Sequence, residues 1–134
     1  IREAYASDAA TAHWPVRKAV ATMVRDSLPD GEGSWSISLW TRGADRRVYL
    51  DGKDRRVCYY VTGNKHTAPG TLTTKFLRPD PEVPEAVLKA IVEYAATALP
   101  EGAYSTREVL ASPVPTAPLP ASYLKAREAA ANGQ

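Results

Sequence analysis

A single cysteine and two histidines are all that this chain of 134 residues offers for metal, redox or nucleophilic chemistry. Cys58 has no second cysteine to pair with, so an intramolecular disulfide is excluded and a reducing, cytoplasmic setting is expected. Two histidines and one cysteine do not supply the ligand spacing of a metal site, and no cofactor is expected. No apolar run approaches the roughly 20 residues that span a bilayer, so no membrane partner is expected. No sequence repeat is visible. The loop GNKHTAPG has glycines and a lysine but does not match a phosphate-binding loop. Ile1 rather than methionine opens the chain, so a preceding segment is expected.

What is present is an ordinary globular composition, 44% hydrophobic and 24% charged, enough to bury one core without disulfides. The formal charge of +2 conceals an asymmetry. Between residues 34 and 78, nine basic residues stand against Asp45, Asp51 and Asp54, leaving +6 there and −4 elsewhere. A basic middle between acidic flanks points to an anionic partner. Eleven arginines against six lysines, in an alanine-rich chain, fit the codon bias of a GC-rich bacterial genome.

The periodicity predicts a short helix within YASDAATAHW, capped by Ser7 or Asp8. A longer one follows, with Pro15 in its first turn and Val16, Val20, Met23, Val24 and Leu28 as its apolar stripe. The period then changes to two. Trp35, Ile37 and Leu39 share one face, and so do Val48 and Leu50, then Val57, Tyr59 and Val61, then Leu72, Thr74 and Phe76. Asp51-Gly52 is read as a hairpin turn because both residues tolerate positive φ. Glu82, Pro84 and Glu85 suit the start of a second helix, with Val87, Leu88, Ile91, Ala95 and Leu99 as its buried stripe. From Ala103 the proline-dense SPVPTAPLP reads as extended, with a short helix possible after it. The expected fold is α+β: a four-stranded antiparallel meander flanked by an N-terminal and a C-terminal helix, with a proline-rich tail. The expected division is a domain over residues 1–102 and a tail over 103–134, through which copies of the chain could associate.

The faces opposite the apolar ones display Trp40, Arg42, Arg47, Tyr49, Arg56, Tyr60 and Lys75. Rings among cations on an open sheet suit single-stranded nucleic acid, since bases stack on rings and cations neutralise phosphates. If one helix covered each face, the tyrosines would instead be core and the arginines solvated strand ends. His13 and His66, with Lys53 or Lys65, hold the residue types for acid–base cleavage of RNA, but nothing in the sequence brings them together. Cys58, between Val57 and Tyr59, reads as a small packed residue. The stretch DPEVPEAVLKAIVEYAATALPEG, preceded by a strand and a loop, resembles the layout of small immunity proteins that neutralise secreted bacterial toxins. That resemblance covers the VPEA–helix stretch alone and implies no residue roles. The sequence therefore leads to a non-enzymatic binding domain whose basic, aromatic sheet engages an anionic partner. Nucleic acid comes first. A protein-interaction module of toxin-immunity, adaptor or phage-assembly type, meeting an acidic protein, is the alternative.

Overall fold

The structure is a computed structural model, and it describes residues 13–28, 35–53, 55–76 and 83–132. The short helix expected in YASDAATAHW, with its caps Ser7 and Asp8, falls almost wholly outside the described residues, as do Asp54, Arg78 and Glu82.

Helix α1 (Trp14–Ser27) has Pro15 in its first turn, where a missing N–H breaks no helical bond. It buries Val20, Met23 and Val24, and closes when the Leu28 N–H donates to the Val24 carbonyl at 3.0 Å. The chain then makes a meander of β1 (Ser36–Arg42), β2 (Asp45–Asp51), β3 (Arg55–Tyr60) and β4 (Thr71–Phe76), every neighbour antiparallel. Helix α2 (Glu85–Ala98) carries the chain back across the sheet, with Pro84 at its N-cap and Glu85 in its first turn. Val87, Leu88, Ile91, Ala95 and Leu99 are all buried, as their helical spacing predicts.

The sheet has five strands, not four. After α2, β5 (Gly102–Ser105) pairs antiparallel with β1, giving the order β4-β3-β2-β1-β5. The sequence GAYS is too short and too weakly alternating to announce a strand. It becomes one because α2 delivers it to the unpaired side of β1, where Ser36 to Leu39 meet Ser105 to Gly102. Thr106 locks this junction, with its N–H and its hydroxyl both donating to the Trp35 carbonyl, at 3.1 and 2.8 Å. The chain beyond β5 is not a plain tail. It forms α3 (Thr106–Ala111), an extended proline strap and α4 (Ala121–Ala131), which makes four helices among the described residues. The strap is tied to α1, where the Ala117 N–H donates to the Pro15 carbonyl at 2.9 Å and the Lys18 ammonium to the Ser112 carbonyl. Tyr123 of α4 is fully buried, and its hydroxyl is hydrogen-bonded to Ser27.

One core gathers the inward residues of the sheet with the buried faces of α1, α2 and α4. It includes Ile37, Leu39, Val48, Leu50, Val57 and Tyr59 together with Val20, Met23, Ile91 and Tyr123. At roughly 1.5–3 kcal/mol for each large apolar side chain removed from water, this single layer boundary dominates the stability of the domain. The helices thus share one side of the sheet, and the other side is left to its own side chains. Gly52 serves this packing in an unexpected way. It does not take a positive φ, and a Cβ there would sit 3.0 Å from the Trp35 indole. Positive φ falls instead on Gly43, at 62°, in the β1–β2 turn, and on Gly63 and Gly70 between β3 and β4. No helix among the described residues is long and apolar enough to cross a membrane.

Candidate binding face of the sheet

The antiparallel register sorts the outward residues into three rows that run across the strands. The first is Trp40, Arg47, Tyr60 and Thr71; the second is Ser38, Tyr49, Cys58 and Thr73; the third is Ser36, Asp51, Arg56 and Lys75. Arg42 pairs with Asp45 at the end of the β1–β2 ladder. All seven residues expected to share a face therefore do so, because side chains alternate strictly along each strand.

In the first row the Arg47 guanidinium stands between two rings, 5.1 Å from the centre of Trp40 and 4.5 Å from that of Tyr60. Its donors are used within the protein. Nε and an NH2 donate to the Asp45 carboxylate, the shortest contact being 2.7 Å, and NH1 donates to the Tyr49 hydroxyl at 3.2 Å. Trp40 and Tyr49 stack with 6.0 Å between centroids and 13° between planes. The Arg56 guanidinium covers Tyr49 at 5.1 Å and donates from Nε to Asp51 at 2.7 Å. Rings and guanidiniums thus form one interleaved layer, which is the physical reason for placing arginines beside tyrosines in these strands.

The electrostatics follow the contacts. The hydrogen bonds from Arg47 hold the Asp45 carboxyl below its ordinary range, and the Asp45 carboxylate in turn raises the Arg47 pKa. Asp51 does the same for Arg56. Burial pushes the Cys58 thiol up, so it is a poor nucleophile and packs as a small apolar residue. The two arginines differ in access: the Arg56 side chain is 61% exposed and the Arg47 side chain only 22%. Lys75 and Arg42 are exposed.

Asp45 and Asp51 are the members of this face that the expected set of seven leaves out. Asp45 lies two residues before Arg47 on one strand, and Asp51 lies opposite Arg56 across the hairpin. The period-two pattern that places the arginines also places these acids beside them. His13 stands at the N-cap of α1, whose Arg17 covers Tyr104 of β5, whereas His66 lies in the loop after β3. Strands β1 and β2 intervene between β5 and β3, and no hydrogen bond among the described residues joins the two histidines. Among the described residues no group of three or more His, Cys, Asp or Glu is placed to hold a metal ion. Comparison of the chain with protein-family models, with curated proteins and with solved structures finds no match.

Proposed function

We propose that this protein is a non-enzymatic binding domain whose helix-free sheet face engages an acidic surface of another protein. The observation that carries this reading is the prior occupation of the rings. Trp40, Tyr49 and Tyr60 each already lie against a guanidinium, and Trp40 and Tyr49 against each other. Bases stacking on the contacted faces would have to displace those contacts. A packed layer of Trp, Tyr and Arg is instead the composition of the residues that dominate protein interfaces, and it meets a partner with little side-chain ordering left to do. Counting Arg42, Arg47, Arg56 and Lys75 against Asp45 and Asp51, the face carries a net +2, which favours an acidic partner.

Single-stranded nucleic acid is the second reading. It draws on the 61% exposure of Arg56 and on the nearby exposed Lys75 and Arg42. Two measurements separate the readings. A displayed peptide library selected on the protein should yield acidic sequences that an Arg56→Glu variant no longer retains. Labelled short oligonucleotides, followed by anisotropy at low and at moderate salt, should show only weak binding, without quenching of Trp40. Tight oligonucleotide binding whose salt slope is about −0.7 per neutralised phosphate would reverse the ranking.

A further inference from the structure

The two edges of the sheet are unequal. β5 has four residues, includes Gly102 with φ 149°, and runs directly into α3, so it offers little to pair with. β4 has six residues, TLTTKF, with no proline, and its register against β3 is unbroken from Thr71↔Tyr60 to Phe76↔Arg55. Among the described residues no strand pairs with its outer side. Natural edges are blunted by short length, proline, bulges or charge, and of these β4 has only Lys75.

That lysine creates a second asymmetry. Lys75 stands directly opposite Arg56, two like charges in a position where they repel. Asp51 offsets the charge on one side of Arg56, at the far end of the row Asp51, Arg56, Lys75. Nothing among the described residues offsets it beyond Lys75. Neighbouring strands lie about 4.8 Å apart, so a carboxylate on a strand beside β4 would fall next to Lys75, with Arg56 one strand further in. The row would then hold two cations between two carboxylates.

We propose that β4 is the docking edge of this protein: it accepts an extended acidic segment of the protein partner as an added strand, with a carboxylate beside Lys75. The inference rests on the reading of the open face as a surface for an acidic protein. It adds the backbone ladder, which supplies affinity, while alternate side chains of the added strand supply specificity.

The test uses the full chain and a synthetic peptide of about eight residues, a typical strand length, alternating glutamate with valine. Backbone amide shifts and hydrogen exchange are followed during titration. The expected result is saturable shifts and slowed exchange centred on Thr71 to Phe76, weakened several-fold in Lys75→Glu and lost with the fully N-methylated peptide of the same charge. A lysine–valine peptide should not bind. Equal binding of the N-methylated or lysine peptide overturns the proposal, and so does protection of β4 in the peptide-free protein through self-association. Shifts confined to Tyr49, Arg56 and Tyr60 would overturn the strand addition while leaving the face reading intact. No shift anywhere on the sheet, together with no acidic sequences from the library, would remove both.

Discussion

Arg47 and Tyr60 stand in register on neighbouring strands, with the guanidinium 4.5 Å from the centre of the phenol ring. That single contact fixes the character of the whole face. A planar cation held on one edge by Asp45 and flanked by Trp40 and Tyr60 is a structural member, whereas Arg56, paired with Asp51, is 61% exposed.

The two arginines should therefore respond differently to the same change. Lysine cannot reproduce a forked bond to a carboxylate together with stacking on two rings. Arg47→Lys should lower the melting temperature and weaken the near-ultraviolet circular dichroism of the Trp40–Tyr49 stack. Arg56→Lys should shift stability by less than about 1 kcal/mol, the range of solvent-exposed ion pairs. Equal losses in the two variants would contradict the division of roles.

Acid should report on the same pair. The Asp45 carboxyl is held below its ordinary value by Arg47, so its folded pKa lies beneath its unfolded one. The unfolded chain then binds the proton more readily, and stability from this group is complete above about pH 4. It is lost as pH falls through the depressed folded pKa. Asp45→Asn should make the protein less stable at neutral pH and flatten the acid limb of its stability curve. An unchanged acid limb would show that the carboxylate contributes nothing there.

The sequence makes the faces of the four meander strands legible because a period of two leaves only two choices for each side chain. It also yields the buried stripes of α1 and α2. It does not reveal β5, since GAYS has no pattern of its own and is a strand only beside β1. It leaves open whether the two long helices share a face, which the packing of α1 and α2 in one core answers. The carboxylates of Asp45 and Asp51 were legible by the same alternation that exposed the arginines. Charge counting over a segment includes them without placing them, because a net figure of +6 carries no geometry.

Two glycines separate space from backbone strain. At Gly52 a Cβ would sit 3.0 Å from the Trp35 indole in the core, so Gly52→Ala should cost about 1–3 kcal/mol through overpacking. At Gly43 a Cβ would meet nothing within 4 Å, but φ is 62°. Gly43→Ala should cost about 1–2 kcal/mol through the left-handed backbone alone. Gly43→Asn should recover part of that loss, because asparagine tolerates this conformation, whereas Gly52→Asn should be at least as harmful as alanine. Denaturant midpoints of the four variants provide the comparison.

Outside the sheet, Tyr123 is an aromatic anchor of the core. The proline strap carries it from α3 across to α1, where it is fully buried and its hydroxyl bonds to Ser27, while its neighbour Leu124 stays 48% exposed. The strap is stiff, since proline restricts φ, so little chain entropy is lost when it lies along α1. Tyr123→Ala should then cost about 3–5 kcal/mol, as for other large aromatic truncations in a core. Tyr123→Phe keeps the packing and loses only the hydroxyl bond, for about 0.5–1.5 kcal/mol. Leu124→Ala should be close to neutral. Truncation after Ser112 removes the anchor with its strap and should destabilise the chain at least as much as Tyr123→Ala, as measured by denaturant unfolding. If the truncated chain unfolds at the same midpoint as the full one, the segment beyond Ser112 does not belong to the core.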